Sequence, residues 1–258
     1  MRYYVTTDVH GYFSELKNAL AENGFFEDTQ PHKLLICGDI FDRGQEALQL
    51  QDFVLDLLSK DQVILIRGNH EDLTRELLQG WSRQSYAQRH HLLNGTVNTV
   101  CQLTGFSERD VFITPDAVGR GLLNSQLIRT IIPATRNYFE TDHYIFVHGW
   151  IPCTAVAMDN DQIGYVYDPD WRSASAEQWE DARWLNGMEA ARSGVIEDGK
   201  TIVCGHWHCS FGHSRYHGNG GEFGPEADFS PYYDQGIIAL DACTAHTRKV
   251  NCIVIEDE

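Results

Sequence analysis

Residues 33–44 read Lys33-Leu34-Leu35-Ile36-Cys37-Gly38-Asp39-Ile40-Phe41-Asp42-Arg43-Gly44, an apolar run that stops at glycine and acidic residues. A continuous apolar run of this length is typical of a strand that is buried on both faces. The same pattern, an apolar run followed by His, Asp, Asn or Gly, recurs elsewhere in the chain. The other runs are Tyr3 to Thr6, Val63 to Ile66, His143 to Val147 and Thr201 to Cys204.

Segments with helical spacing separate the first three of these runs. Ser14 to Glu22 and Glu46 to Ser59 both carry apolar residues at intervals of three and four. An alternation of strands and helices is the signature of βαβ units, so we predict an α/β fold. In open α/β sheets, binding and catalysis occur outside the carboxyl ends of the strands. In this chain, polar residues follow every predicted strand at that end.

The remainder of the chain extends this core. Glu71 to Glu140 is predicted to be a mostly helical insertion. It is broken by residues that commonly end helices, namely Gly95, Gly105 and Pro115. Gly236 to Leu240 and Lys249 to Ile255 are predicted to pair as a hairpin. Because no internal repeat or low-complexity linker is present, we expect residues 1–258 to form one domain.

The composition excludes several classes of protein. The chain has 258 residues, of which 42% are hydrophobic and 22% charged, as in ordinary soluble proteins. No run approaches the roughly 20 apolar residues that cross a bilayer, so no membrane partner is expected. The net charge of −17 repels phosphate backbones, so non-specific nucleic-acid binding is not expected. A small phosphorylated substrate remains compatible, provided that metal ions supply local positive charge.

The cysteines and the N-terminus indicate a cytoplasmic protein. The seven cysteines are scattered, without a Cys-x-x-Cys pair, and Cys37, Cys204 and Cys252 lie in predicted strands. Residues 1–5 lack the apolar stretch of a signal peptide. We therefore expect reduced thiols in a cytoplasmic protein.

Residues of types that can bind metal ions follow the predicted strands. They are Asp8, His10, Asp39, Asn69, His148, His206 and His208. Oxygen and imidazole donors without thiolates suit Mn²⁺, Fe, Zn²⁺ or Ni²⁺. Seven donors exceed the needs of one tetrahedral ion, and a carboxylate can bridge two ions. Two ions about 3.5–4 Å apart can clamp a phosphoryl group during in-line displacement.

Five motifs in this order resemble a known family. They are Asp8-Val9-His10-Gly11, Gly38 to Gly44, Gly68-Asn69-His70-Glu71, His148-Gly149 and Gly205-His206. The set resembles the calcineurin-like metallophosphoesterases, in particular the phosphoprotein phosphatase branch. That branch includes Ser/Thr protein phosphatases, phage-type protein phosphatases and symmetrical diadenosine tetraphosphatases. The resemblance implies a four-layer α/β/β/α sandwich, and it does not cover residues 71–140 or 209–233.

The resemblance also implies the division of the ligands between two divalent metal ions. The first ion would be bound by Asp8 and His10, and the second by Asn69, His148 and His206, with Asp39 bridging both. Mn²⁺ is our first choice for these ions, and Fe, Zn²⁺ or Ni²⁺ are alternatives. A hydroxide that bridges the two ions would attack phosphorus.

Four further residues take roles from the same resemblance. His70 would be the general acid towards the leaving oxygen, and Asp42 would hold its imidazole. A carboxylate partner fixes the ring and favours its protonated form, as an acid requires. Arg43 would clamp the phosphate, because a guanidinium fork matches phosphate geometry. Arg67 would either contact the phosphate as well or brace its own loop. Asn69 is a candidate for substrate binding in addition to its role as a metal ligand.

The sequence departs from the family pattern at two places. The family usually carries a Trp-x-Arg motif before the last ligand motif, whereas this chain has Trp184-Leu185-Asn186. Arg183 or Arg192 could replace the missing arginine. The second departure is His208, because a second histidine after Gly-His is typical of the wider metallophosphoesterases. His208 is thus either a seventh ligand of the first ion or a supporting residue.

Aromatic residues near the predicted site suggest a mouth that faces solvent. The segment from Cys209 to Tyr233 contains His213, His217 and several aromatics, and we predict a mobile loop there rather than a second metal site. Its aromatics, together with Trp150 and Tyr167, are candidates for stacking on a base or phenyl ring. Buried packing explains such residues equally well.

The leading functional hypothesis is a dinuclear-metal-dependent phosphoesterase. It would hydrolyse phosphomonoesters or phosphoanhydrides of a phosphoprotein or a nucleotide. A metal-dependent phosphodiesterase is the alternative that a metal-bound His208 would favour. A regulatory module that binds metal without catalysis is a third hypothesis, and the intact Asp42, Arg43 and His70 argue against it.

Overall fold

Two β-sheets form the centre of the computed structural model, which describes residues 1–82, 87–157 and 163–257. Predictions for residues 83–86 and 158–162 lie outside this part of the chain. The strands are β1 (Arg2–Thr6), β2 (His32–Cys37), β3 (Val63–Ile66), β4 (Phe139–Glu140), β5 (Tyr144–Phe146), β6 (Cys153–Ala157), β7 (Ile163–Tyr167), β8 (Thr201–Cys204), β9 (Tyr232–Asp234), β10 (Ile237–Ala239) and β11 (Cys252–Glu256).

Helices flank these strands and fill the long connection after β3. They are α1 (Phe13–Glu22), α2 (Ala47–Ser59), α3 (Asn69–Ser82), α4 (Arg89–Leu93), α5 (Thr96–Thr104), α6 (Glu108–Ile113), α7 (Pro115–Leu123), α8 (Ile132–Ala134), α9 (Ala176–Ala182), α10 (Gly187–Arg192), α11 (Cys209–Tyr216) and α12 (Thr244–Thr247). A π-helical turn spans Leu127–Ile131 and a 3₁₀ turn spans Trp171–Ser173. None of the described helices is long and apolar enough to cross a membrane.

The first sheet has the strand order β11-β1-β2-β3. β1, β2 and β3 run parallel, with Val5 opposite Leu35 and Leu35 opposite Ile64. β11 pairs antiparallel with the outer edge of β1. The three parallel strands therefore end at one edge, as the alternation of strands and helices predicts.

The second sheet has the strand order β4-β5-β8-β10-β9. Its three central strands, β5, β8 and β10, run parallel, and the short edge strands β4 and β9 are antiparallel. β6 and β7 form a separate two-stranded ribbon.

The two sheets pack face to face through a core to which both contribute. Val5, Leu35 and Ile66 of the first sheet share one buried cluster with Phe146 and Val203 of the second. Residues of opposite parity on the strands point outwards and are also buried, which confirms strands covered on both faces.

Helices cover the two outer faces of the sandwich. Leu16 of α1 and Leu50 of α2 join a cluster with Ile36 on the outer face of the first sheet. On the other side, Trp179 of α9 and Met188 of α10 pack with the outer face of the second sheet. The layers are thus helix, sheet, sheet and helix, and the predicted four-layer α/β fold is confirmed.

The predicted helical insertion is present between β3 and β4. α3 to α8 occupy most of it, and Leu77, Trp81, Val100 and Leu122 form a small core of their own. The predicted breaks coincide with helix ends: Gly95 and Gly105 flank α5, and Pro115 begins α7. That the whole chain is one domain stays a prediction.

The predicted C-terminal hairpin is wrong. β10 lies in the second sheet, between β8 and β9, whereas β11 lies in the first sheet beside β1. The intervening residues cross from one sheet to the other and are tied to the end of β1, since the Thr244 hydroxyl donates to the Asp8 carbonyl at 2.8 Å. β11 therefore pairs with the free edge of β1 rather than with β10. This long-range pairing leaves no local pattern in the sequence.

Candidate active site

The six metal ligands implied by the motifs lie together beyond the carboxyl ends of five strands. Asp8 and His10 follow β1, Asp39 follows β2, Asn69 follows β3, His148 follows β5 and His206 follows β8. All are buried except His206, which is partly exposed. The two sheets meet here, because the backbone N–H of His206 donates to Asp8 Oδ2 at 2.9 Å.

His148 is oriented to bind a cation. Its Nδ1 lies 2.8 Å from the carbonyl oxygen of Cys37, which can only accept, so Nδ1 carries the proton. In the neutral ring, the lone pair of Nε2 then faces Asn69 Oδ1 at 2.8 Å and Asp39 Oδ1 at 3.3 Å. Three lone-pair atoms that converge in this way suit a metal ion, and a backbone carbonyl on the other nitrogen is the usual support of a metal-binding histidine.

His10 has the same arrangement on the other side of Asp39. Its Nδ1 lies 3.1 Å from the carbonyl oxygen of Phe41. Its Nε2 faces Asp8 Oδ1 at 3.8 Å and Asp39 Oδ2 at 3.7 Å. Burial lowers the pKa of His10 well below its ordinary value, so the ring is neutral and able to bind a metal ion.

His206 completes the set from the second sheet. Its ring lies 5.2 Å from that of His148, centroid to centroid, and makes a hydrogen bond with the backbone of Trp184. Burial lowers the pKa of His206 to about 3, which again leaves a neutral ring.

Asp39 belongs to two groups of potential metal ligands. One contains His10 and His70, and the other contains His148 and His206. Burial alone would raise the pKa of Asp39, but the neighbouring imidazoles, chiefly His148 and His70, outweigh burial and lower it. An ionised carboxylate with one oxygen towards each group has the position that a bridging ligand requires.

His70 differs from the other histidines in what holds its ring. Its Nδ1 lies 2.8 Å from Asp42 Oδ2, so a carboxylate rather than a backbone carbonyl accepts the hydrogen bond from Nδ1–H. Burial would lower the pKa of His70, but the charge of Asp39 and the hydrogen bond to Asp42 outweigh it and raise the pKa to about 9. A histidine that keeps its proton near neutral pH is suited to be an acid and is a poor metal ligand.

Two threonines of the helical insertion fix Asp42. The Thr96 hydroxyl donates to Asp42 Oδ2 at 2.7 Å, and the backbone N–H of Asp42 donates to Thr99 Oγ1 at 3.0 Å. The sequence motifs do not include these residues, which lie more than 50 positions away. α5 of the insertion therefore supports the His70–Asp42 pair.

Arg43 lies next to the acid pair. Its Nη2 is 3.3 Å from His70 Nε2. When His70 is protonated, both nitrogens carry hydrogens and repel each other, as the opposing effect of Arg43 on the His70 pKa indicates. An anion that accepts from both would remove this repulsion, so the pair forms a ready site for a phosphate oxygen.

Glu71 is a buried carboxylate to which the motif comparison gave no role. It accepts hydrogen bonds from the backbone N–H groups of Asp39, Ile40 and Gly68 at 3.1, 3.0 and 2.8 Å. Burial, followed by the charge of Asp39, raises its pKa to about 7. Glu71 thus joins the turn after β2 to the turn after β3 and positions Asp39.

The backbone of the site is strained. In the described chain, nine residues other than glycine have positive φ, and six of them are site residues: Asp8, His10, Asp39, Asp42, Arg43 and His206. Left-handed backbone in such residues costs about 1–3 kcal/mol each and clusters at functional sites. Two glycines permit close approach instead, because a Cβ at Gly68 would overlap Asp39 and one at Gly205 would overlap Asp8.

Two predicted candidates have other described contacts. Arg67 donates from Nε to Thr135 Oγ1 at 2.9 Å and from Nη2 to the Ile132 carbonyl at 3.2 Å, which favours the bracing role. His208 contacts Ser210 at 2.8 Å through Nδ1 and Glu222 at 3.3 Å through Nε2. Both roles in binding stay predictions.

The suggested replacements for the missing arginine have other described contacts. Arg183 is buried and donates to Asp72 Oδ2 at 2.5 Å, and Arg192 lies over the ring of Tyr216. The suggested stacking aromatics also have other contacts. Trp150 is buried, and its Nε1 donates to the Val195 carbonyl, while the Tyr167 hydroxyl donates to the Glu197 carboxylate.

Residues 209–233 do not form a loop throughout, since α11 occupies their first third. Neither His213 nor His217 belongs to a metal-binding group within the described residues.

A third group, Glu76 with His90 and His91, lies on the insertion. There His91 Nδ1 accepts from the backbone N–H of Gln88, which leaves the proton of the neutral ring on Nε2, the nitrogen that faces Glu76.

Part of the chain is similar in sequence to curated proteins. The chain is 33% identical over 78 residues to an asymmetrical bis(5′-nucleosyl)-tetraphosphatase of Anoxybacillus flavithermus, which covers 28% of this chain and 32% of that protein. It is 35% identical over 89 residues to a symmetrical bis(5′-nucleosyl)-tetraphosphatase of Serratia proteamaculans, covering 34% and 30%. The matches thus span about a third of the length of these curated relatives.

A solved structure extends the similarity to almost the whole chain. The cold-active protein-tyrosine phosphatase of a psychrophilic Shewanella aligns with 99% of this chain and 75% of its own, at 14% identity and a TM-score of 0.53. That likeness concerns the fold. A model of the calcineurin-like phosphoesterase family matches residues 1–219, and the chain therefore belongs to the calcineurin-like phosphoesterase family.

Proposed function

We propose that the protein is a dinuclear-metal-dependent phosphoesterase that cleaves phosphoanhydride or phosphomonoester bonds, with nucleoside polyphosphates as its preferred substrates. The observation that carries this proposal is the position of Asp39, one oxygen of which faces His10 while the other faces His148. The family implies divalent metal ions, and the donors around Asp39 match them in chemistry.

The residues that would hold the ions fall into two sets. Asp8 and His10 would hold the first, while Asn69, His148 and His206 would hold the second, with Asp39 shared. When bound, the ions would supply a nucleophilic water at neutral pH and neutralise charge on phosphorus. Nitrogen and oxygen donors without sulfur suit Mn²⁺, which remains our first choice.

Arg43 and His70 would bind and orient the phosphate. The two side chains converge at 3.3 Å, and both can donate to an oxygen between them. The guanidinium, on an exposed residue next to the buried His70, would neutralise the charge that develops during displacement.

His70 would then deliver a proton from Nε2 to the leaving oxygen. Asp42 holds the ring by accepting from Nδ1, and Thr96 holds Asp42. The proton is therefore presented in one fixed direction. A module that only binds metal has no need of this chain of hydrogen bonds, which disfavours the non-catalytic alternative.

The substrate class is supported by the curated relatives. Both are named as bis(5′-nucleosyl)-tetraphosphatases, so a nucleoside polyphosphate is the substrate that we favour over a phosphoprotein. The described contacts of His208 with Ser210 and Glu222 give no support to a phosphodiesterase.

The test is metal removal and reconstitution. Protein stripped with a chelator is reloaded with Mn²⁺, Fe²⁺, Zn²⁺ or Ni²⁺, and bound metal is counted. Hydrolysis of diadenosine tetraphosphate, a phosphopeptide, a simple phosphomonoester and a phosphodiester is then compared. We expect two equivalents of metal and the highest kcat/KM on diadenosine tetraphosphate. A preference for the diester, or two bound ions without hydrolysis of any substrate, would contradict the proposal.

A further inference from the structure

A pocket adjoins the candidate active site on the side of the second sheet. It has a volume of about 240 Å³ and lies between α3 and the turn that follows α9. Asn69, a candidate metal ligand, and Trp184 both line it. A ligand in this pocket would therefore lie beside any phosphate held at the strand ends.

Trp184 presents an exposed ring in a fixed position. The residue is 50% exposed, which is unusual for the largest aromatic side chain. Its ring meets that of His206 edge to face, with centroids 5.7 Å apart, and its backbone makes a hydrogen bond with the same histidine. The exposed part of the indole is thus available to a flat ligand next to the candidate metal centre.

The neighbouring Arg183 holds this turn against α3. It is buried, and its guanidinium donates to Asp72 at 2.5 Å and to Asn137 Oδ1 at 3.2 Å. The pocket wall that carries Trp184 is thereby anchored before any ligand arrives, which limits the entropy lost on binding.

The polar lining disfavours a second phosphate. Asp72 is already paired with Arg183, and Glu76 contacts His90 at 3.1 Å, while the carboxylate of Glu180 also lines the pocket. Arg75, which lies 3.6 Å from Asp72, is the cation among the lining residues described. Carboxylates repel phosphate and accept hydrogen bonds from N–H groups. A flat, uncharged ring that carries N–H donors satisfies both the indole and the acceptors.

We infer that this pocket binds a nucleobase of the substrate, with Trp184 as the stacking surface that sets specificity for nucleotides. The inference rests on the proposed phosphoesterase function and adds the part of the substrate that lies away from the reacting phosphate. Arg75, on the α3 side of the pocket, faces the same space and can contribute a cation–π contact to a base held there.

The experiment compares binding of adenosine diphosphate and pyrophosphate to the metal-loaded protein by calorimetry. These ligands share a diphosphate and differ by the nucleoside. Trp184→Ala is expected to raise the Kd of adenosine diphosphate by about 5- to 100-fold, the usual value of one base–aromatic stack, and to leave that of pyrophosphate unchanged. Trp184→Phe should restore most of the affinity. Tyr233→Ala, which removes an aromatic ring of similar exposure from β9, is the matched control.

Each other outcome has a separate meaning. If Trp184→Ala weakens both ligands equally, the residue acts by positioning His206 and the base site is refuted. If neither Kd changes, the base lies elsewhere and the inference is equally refuted. Because the readout is binding, a protein that hydrolyses no nucleotide yet shows the expected difference would contradict the proposed activity while leaving the base site intact.

Discussion

Two carboxylates with lowered pKa values, Asp39 and Glu140, lie in contrasting surroundings. Glu140 accepts two hydrogen bonds from Arg172, at 3.0 and 2.6 Å, and pairs with Lys200 at 2.8 Å. Asp39 faces the imidazoles of His148 and His10, and it accepts a hydrogen bond from the backbone N–H of His70 at 3.0 Å. Glu140 is thus paired with permanent cations, whereas Asp39 lies beside imidazoles, which are neutral when they bind a metal ion.

This difference separates a group that stabilises the fold from a group that is arranged for chemistry. The pairs of Glu140 are complete in the protein alone. Around Asp39, lone pairs converge in a backbone whose φ angles are strained, so we expect a bound cation to stabilise the arrangement. We therefore expect bound metal ions to stabilise the site, whereas the ion pairs of Glu140 need only the chain itself.

Loss of Asp39 should have the largest effect. Asp39→Asn removes the negative charge that both ligand groups share, so both ions should be lost and turnover should fall by more than the roughly 100-fold typical of an outer supporting residue. Metal counting by emission spectroscopy, together with kcat/KM, is the measurement. Glu140→Gln is the matched control and should keep two ions. Two retained equivalents in Asp39→Asn with normal turnover would refute the bridging role.

His70→Asn should affect the chemical step without emptying the site. Turnover on an alkyl phosphate should fall by roughly 10²–10⁴-fold, the usual contribution of a positioned acid, while both ions remain bound. The loss should be smaller for 4-nitrophenyl phosphate, whose leaving group needs no proton. His90→Asn, an exposed histidine of the insertion, is the control. An equal loss on both substrates would instead indicate that His70 positions the phosphate.

Glu71→Gln should weaken the metal site by an intermediate amount. The carboxylate accepts three N–H groups, whereas an amide has one acceptor oxygen and would turn its own NH₂ towards one of them. We expect metal affinity to fall by about 10- to 100-fold and the protein to lose about 1–3 kcal/mol of stability. Metal titration and thermal unfolding measure these effects. Glu22→Gln, which changes an exposed carboxylate at the end of α1, should change neither.

The strand ends could be predicted from sequence because the reasons are local. A buried parallel strand requires a continuous apolar run, and the polar residues that follow it must lie at one edge of the sheet. Asp8, Asp39, Asn69, His148 and the other ligands were thus brought together by topology alone. The structure places all six residues of the implied metal set within one site, although their roles as ligands stay predictions.

The residues that support the site were not predictable in the same way. Thr96 reaches Asp42 across 54 positions, and β11 pairs with β1 across almost the whole chain, so neither contact leaves a local pattern. The sequence around Trp184 indicates only a missing arginine, whereas the exposure of its ring depends on the turn that Arg183 ties to Asp72 of α3. Glu71 is the exception, since it belongs to the motif Gly68-Asn69-His70-Glu71 and its position beside Asn69 and His70 is a local signal of a role in the site.

The smallest predicted effect concerns Glu140 and completes the comparison with Asp39. Hydrogen bonds from Arg172, with a further contribution from Lys200, lower the pKa of Glu140 to about 2. Because the folded-state pKa lies below the unfolded value of about 4.3, the stabilisation is present above pH 4–5 and is lost as the pH falls towards 2. Glu140→Gln should therefore cost about 1 kcal/mol at pH 7, with a difference from wild type that shrinks below pH 4, and should leave kcat unchanged. Urea unfolding of the metal-free proteins at pH 7 and pH 3.5 measures this, and a difference that stays constant with pH would show that the ion pairs of Glu140 do not stabilise the fold.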